Sequence, residues 1–257
     1  MGNDLKIFKS LADWRHYRKS IDPTKTIGFV PTMGNLHAGH ASLLQNSIAE
    51  NDITFLSIYI NPKQFNNPED LEKYPRTEKE DFALAESLGV NAILFPSYDE
   101  IYSDDYNYQV LEKSLSKIME GTHRPGHFDG VLTIVLKLLN LAQAHRAYFG
   151  EKDYQQFQLI KGMCDAFFID TEIIPCPTIR NDQGLALSSR NSRLTPNGLQ
   201  KATQFAKQLQ SPQSIENIVS NLESQGFQVD YIQDHNSRRY GAVFLENIRL
   251  IDNIPLR

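Results

Sequence analysis

Two imidazoles stand three residues apart in Pro31-Thr32-Met33-Gly34-Asn35-Leu36-His37-Ala38-Gly39-His40. Imidazole can donate a hydrogen bond to a phosphate oxygen and stabilise charge that builds during displacement at phosphorus. Gly34 and Gly39 allow a ligand close to the main chain. A lone histidine is more often a packed core or surface residue. Two in H-x-G-H, on neighbouring positions of a first helical turn, favour a phosphate site instead. Zinc is the rival, but no Glu follows the first histidine and no third ligand stands nearby. The segment is neither a Walker A loop nor a GxGxxG fingerprint. The chemistry it suits is nucleotidyl transfer, not hydrolysis or redox.

Four other polar clusters could join it. Asn61-Pro62-Lys63-Gln64-Phe65 offers amide donors and acceptors for a ligand with hydroxyl and carboxylate groups. Gly150-Glu151-Lys152-Asp153-Tyr154-Gln155-Gln156 offers a cation, a helix N-cap in Asp153 and an amide one turn on in Gln156. Leu187-Ser188-Ser189-Arg190-Asn191 sets two hydroxyls beside a guanidinium, an anion clasp. His123-Arg124-Pro125-Gly126-His127-Phe128 adds Arg124. Each alone reads as a polar turn.

The elements that must hold these clusters alternate. Thr26–Val30 reads as a strand that breaks at Pro31, with a helix near Ala41–Glu50. The loop between them would turn backbone N–H groups and a positive dipole end toward an anion. Ile53–Ile60 has the unbroken apolar character of a buried parallel strand. Thr77–Leu88 reads as a helix stopped by Gly89, and Asn91–Phe95 as a strand stopped by Pro96. Gly130–Ala142 reads as a buried helix, Arg146–Phe149 as a strand, Asp153–Phe167 as a helix and Thr171–Ile174 as a last strand before Pro175. This rhythm predicts an α/β fold, a doubly wound parallel sheet with helices on both faces. Ligands of such folds bind outside the carboxyl ends of strands, where the loops after Val30, Ile60 and Phe149 fall. Composition changes near Pro177. Residues 196–225 read as surface helices, and Gly226–Ile232, Val243–Glu246 and Arg249–Ile251 as short strands. The expected organisation is a catalytic domain over 1–177 and a small α+β domain over 178–257.

Composition limits the partners. The chain has 257 residues, 40% hydrophobic and 22% charged, as in an ordinary globular protein. Its net charge is −5, from 26 basic and 31 acidic residues, which argues against nucleic acid or an anionic membrane as partner. Cys164 and Cys176 lack metal-ligand spacing and read as buried free thiols. The N-terminal residues, including Asp4 and Lys6, lack a signal-peptide core, and no stretch approaches the about 20 apolar residues that cross a bilayer. A cytoplasmic location is expected.

Taken in order, these motifs resemble the pantoate–β-alanine ligase (pantothenate synthetase) family. The resemblance runs through PTMGNLHAGH (31–40), NPKQF (61–65), YPRT (74–77), HFDGVLT (127–133), FGEKDYQQ (149–156), LSSRN (187–191) and RLIDNI (249–254). It implies a Rossmann-like nucleotidyltransferase domain with a C-terminal lid, and a homodimer. It also implies an ATP-dependent ligase that forms pantoyl-adenylate and pyrophosphate, then pantothenate and AMP once β-alanine attacks. H-A-G-H and L-S-S-R look like relatives of the HIGH and KMSKS signatures of class I aminoacyl-tRNA synthetases. By resemblance, ATP would be held by Met33, Gly34, Asn35, Leu36, His37, Ala38, Gly39, His40, Gly150, Glu151, Lys152, Asp153, Ile179, Leu187, Ser188, Ser189 and Arg190. His37, His40, Lys152, Ser188, Ser189 and Arg190 would act at the reacting phosphate. Gln64, Gln156 and Arg124 would hold pantoate or β-alanine. Mg2+ would bind mainly through ATP oxygens, with Asp81 as a protein contact. Leu187 replaces the Met of many relatives, and the C-terminal region is short for the family. Another nucleotidylyltransferase and a non-catalytic ATP sensor are the alternatives; a tRNA synthetase is disfavoured by the short, acidic chain.

Overall fold

The computed structural model describes residues 5–256. The expected domain limits at 1–4 and 257 therefore lie outside the described residues. In chain order the first part runs β1 (Lys6–Phe8), α1 (Leu11–Ser20), β2 (Ile27–Thr32), α2 (Ala38–Glu50), β3 (Ile53–Ile58), α3 (Pro68–Glu72) and α4 (Glu78–Leu88). It continues with β4 (Ala92–Leu94), α5 (Tyr98–Ile101), α6 (Glu120–His123), α7 (His127–Ala142), β5 (Arg146–Gly150), α8 (Tyr154–Ala166) and β6 (Glu172–Cys176).

These six strands form one parallel sheet in the order β1-β4-β3-β2-β5-β6. The chain builds outward from β2 in one direction, then returns to place β5 on its other side. That reversal opens a crevice beyond the carboxyl ends of β2 and β5. Apolar residues of the strands alternate between two cores. Phe29, Phe55 and Ala147 face one, with Trp14 and α7; Val30, Leu56, Ile93 and Tyr148 face the other, with α2.

Two prolines predicted to stop strands lie inside them. Pro31 pairs with Ser57, but the β2–β5 ladder covers only Gly28 and Phe29, so its missing N–H breaks no bond on that side. Pro175 pairs with Phe149 within β6, an edge strand, where proline is tolerated. Gly89 does end α4, in the left-handed region at φ 93°. α7 starts at His127, earlier than expected, and most of its faces are buried. β1 and α1 were not legible: the strand has three residues, and α1 is recognised by its cap, Ser10 Oγ accepting from Ala12 N–H at 3.2 Å.

The C-terminal part packs α9 (Pro196–Leu209) and α10 (Ile215–Ser224) on an antiparallel sheet of β7 (Gln228–His235), β8 (Arg238–Leu245) and β9 (Ile248–Pro255). The strands are longer than predicted. They join through two-residue turns, Asn236-Ser237 and Glu246-Asn247, all four residues at positive φ, as tight hairpins require. Cys164 and Cys176 are both buried and unpaired. No described helix is long and apolar enough to cross a membrane.

Candidate active site

The first wall of the crevice is the loop from β2 to α2. Gly34 and Asn35 both take the left-handed conformation, at φ 77° and 49°. Asp81 on α4, 3% exposed, locks this turn by accepting from Asn35 N–H at 2.9 Å and Leu36 N–H at 2.7 Å. Thr77 Oγ1 donates to the same carboxylate at 3.2 Å. Asp81 therefore has its oxygens committed to the loop, which does not suit the expected metal contact. Among the described residues no group of three His, Cys, Asp or Glu could hold a metal ion.

α2 begins at Ala38, earlier than the sequence pattern suggested, with His37 as its N-cap and the two histidines closing a capping box. His37 Nδ1 accepts from Gly39 N–H at 3.1 Å, and His40 Nδ1 accepts from His37 N–H at 3.3 Å. With both Nδ1 atoms accepting, each neutral ring carries its proton on Nε2. The rings lie 4.2 Å apart, and a Cβ on residue 39 would sit 2.8 Å from His37 Cε1, so only glycine leaves that ring in place. Burial, then the Lys152 ammonium, pushes His37 down to about 4. Burial, then His37 and Lys152, pushes His40 to about 3. At neutral pH the pair is uncharged and presents two N–H donors.

The second wall follows β3. Asn61 is 1% exposed and spends its amide inside the protein. Its Oδ1 accepts from Tyr102 Oη at 2.8 Å, and its Nδ2 donates to Gly130 O and Gln64 Oε1, both at 3.1 Å. It thus orients Gln64 and is not itself a ligand group. Gln64 Nε2 lies 3.1 Å from Met33 Sδ, which ties this wall to the first. The Gln64 carbonyl accepts from His127 Nδ1 at 2.8 Å, which leaves His127 Nε2 to accept from Arg124 at 3.1 Å. Burial, then Arg124, drives His127 down to about 3. Burial also lowers Arg124 to about 10, against the pull of Glu120.

The third wall is Gly150–Asp153, at the end of β5. Asp153 occupies the N-cap position of α8, but its side chain caps nothing and lies 3.7 Å from Lys152 Nζ. The fourth is the Leu187–Arg190 loop. Ser188 Oγ accepts from Arg190 N–H at 3.3 Å, and Ser189 Oγ donates to Asn35 O at 3.3 Å. Two elements far apart in sequence are thereby stitched together.

These walls enclose a cavity of about 250 Å³. It is lined by Met33, His37, Gly39, His40, Gln64, Arg124, Gly150, Lys152, Asp153, Gln156, Ile179, Leu187, Ser188, Ser189 and Arg190. Gly34, Asn35, Leu36, Ala38, Glu151 and Asp81 are not on its lining. Tyr59, Tyr74, His127 and an apolar face of α7 formed by Val131, Val135 and Leu138 also line it, beyond the residues expected from the sequence. Their i, i+4, i+7 spacing marks one helix face, but a core-facing stripe has the same spacing.

Imidazole, ammonium and guanidinium donors opposite amides and an apolar face suit an enzyme that activates a small acid with a nucleotide. Comparison with known proteins narrows that class. The family described as Pantoate-beta-alanine ligase matches residues 6–255. A pantothenate synthetase of Legionella pneumophila is 52% identical over 252 residues, covering 98% of this chain and 100% of the relative. One from Coxiella burnetii is 52% identical over 250 residues, 97% of this chain and 96% of the relative. The crystal structure of the pantoate-beta-alanine ligase from Francisella tularensis, complexed with beta-gamma ATP and beta-alanine, superposes with a TM-score of 0.95. It is 41% identical and covers 98% of this chain and 97% of that one. The chain belongs to the pantoate–β-alanine ligase family and is an ATP-dependent acid–amine ligase. The chain covers these relatives nearly end to end.

Proposed function

We propose that ligation runs through a pantoyl-adenylate held in the cavity beyond β2, β3 and β5. A carboxylate oxygen of pantoate attacks the α-phosphorus of ATP. The bond from that phosphorus to the bridging oxygen breaks, and pyrophosphate leaves with the electron pair. The β-alanine amine then attacks the acyl carbon, the acyl carbon–oxygen bond breaks and AMP departs; the amine proton passes to solvent.

The observation that carries this reading is the convergence of His37, His40, Lys152, Ser188, Ser189 and Arg190 on the cavity that Gln64 and Gln156 also line. The neutral imidazoles donate from Nε2 to phosphate oxygens, and Lys152 and Arg190 balance the growing negative charge. Met33, Gly39, Gly150, Asp153, Ile179 and Leu187 pack the nucleotide. Gly34, Asn35, Leu36, Ala38 and Glu151 shape the loops around it. Gln64 and Gln156 take the hydroxyl and carboxylate groups of pantoate, with Arg124 beside them. Val131, Val135 and Leu138 give its two methyl groups an apolar wall. Orientation of two anions side by side supplies much of the rate.

In this reading Mg2+ enters on the triphosphate oxygens rather than on Asp81. Residues up to 177 form the catalytic domain and those from 178 the lid, two chains associate as a homodimer, and the enzyme works in the cytoplasm. The test is pyrophosphate release from MgATP with and without (R)-pantoate, followed by β-alanine. Pantoate-dependent release, then AMP and pantothenate, is expected. Release that ignores pantoate would refute the adenylate route.

A further inference from the structure

Beside the substrate cavity lies a second one of about 710 Å³, and Lys152, Ser188, Arg190 and Arg124 line both. At its edge two guanidinium groups share a single carboxylate. Arg190 donates to Asp70 Oδ2 and Arg193 to Asp70 Oδ1, each at 2.7 Å. Among the described residues neither arginine has another acidic side-chain partner, so two cations against one anion leave one positive charge over. Asp70 belongs to α3, a five-residue helix in the connection between β3 and α4, whereas both arginines follow the Ser188-Ser189 loop. Asp70 therefore bridges two segments with charge-assisted hydrogen bonds, at the mouth between the cavities.

We infer that Asp70 holds the place of an anion, and that Arg193, with Arg190, forms the site through which the diphosphate leaving group passes into the second cavity. This rests on the adenylate route proposed above. When the α-phosphorus is attacked, the departing diphosphate carries off the electron pair, and its charge exceeds that of a carboxylate. It competes with Asp70 for the same two forks, which suit phosphate as well as carboxylate. Arg190 faces both cavities, whereas Arg193 faces only the second, so the two form an ordered path outward.

The test is pantoate-dependent exchange of labelled pyrophosphate into ATP, with the KM for pyrophosphate and for pantoate measured separately. Arg193→Gln is expected to raise the KM for pyrophosphate about tenfold, the loss of one charge-assisted contact, while the KM for pantoate holds. Arg193→Lys should restore part of the loss. Asp70→Asn should move the pyrophosphate KM down, since it removes the competitor. A merely structural role for the Asp70 bridge would instead shift both constants, in the same direction for both substitutions. That result, or an unchanged pyrophosphate KM in Arg193→Gln, overturns the inference and leaves the adenylate route standing. Absence of pantoate-dependent exchange in the unaltered enzyme overturns both.

Discussion

Asn253, on β9, donates its side-chain amide to the main-chain carbonyl of Lys152 at 2.7 Å, across 101 positions of sequence. The same amide reaches Glu151 O at 2.9 Å. Its Oδ1 accepts from Arg238, whose guanidinium stacks 3.7 Å from the Tyr154 ring centroid. The neighbouring Asp252 takes a bidentate bond from Arg180, at 2.6 and 2.8 Å. The lysine that lines the substrate cavity is thus positioned from the C-terminal sheet.

Asn253→Asp would turn a donor into an acceptor facing two carbonyls. Leaving those groups unpaired or opposed costs on the order of 1–3 kcal/mol. The expected result is at least a tenfold fall in kcat/KM for ATP, with a smaller change for pantoate. Steady-state kinetics with each substrate varied in turn decides it; equal losses for both would mean that Asn253 supports the fold as a whole.

His40→Ala removes an imidazole that lines the cavity and, in the proposed reaction, donates to the reacting phosphate. Adenylation should slow by about 10²–10³-fold in single turnover. Because His40 is held near 3 by burial, the unaltered rate should show no histidine ionisation between pH 5.5 and 8. A limb near pH 6.5 that disappears in the variant would contradict a neutral role.

Gln64 is oriented by Asn61 and lines the cavity near the apolar face of α7. Gln64→Ala should weaken pantoate far more than ATP. Calorimetric titration of each ligand tests this, and equal weakening of both would remove Gln64 from the acid site.

Acid should destabilise the protein before its carboxylates titrate. His37, His40 and His127 have folded values of about 4, 3 and 3, below the ordinary 6.5, chiefly because burial disfavours their charged forms. The unfolded chain binds protons at these residues below pH 6.5 while the folded chain does not. Stability therefore falls as pH drops from 6.5 toward 4, by ~1.4 kcal/mol per pH unit for each histidine at most. Glu120 acts in the same direction at lower pH. Burial alone would raise it, but bonds to Arg249 and the charge of that group hold it at about 2. Urea titrations at pH 7, 6 and 5 should show a falling midpoint, and a flat midpoint over that range would refute the histidine contribution.

The sequence by itself determined the sheet class, because buried parallel strands and their helices have distinct periods that any window reveals. It also exposed the loops that carry chemistry, since H-x-G-H, G-E-K-D and S-S-R each follow a strand or turn signal. Tertiary structure alone decided which polar side chains face the cavity. Asn61 and Gln64 are three residues apart and chemically alike, yet Tyr102 and Gly130 claim the first and leave the second on the cavity. Asp81 suits a metal by composition, but both its oxygens accept from the loop amides of Asn35 and Leu36. Pro31 and Pro175 remain in strands because of which neighbours lack a ladder at their positions. Asn253 reaches Lys152 only because β9 folds back over the end of β5. A local pattern fixes what a residue can do; its partners, brought from a hundred positions away, fix which of those things it does.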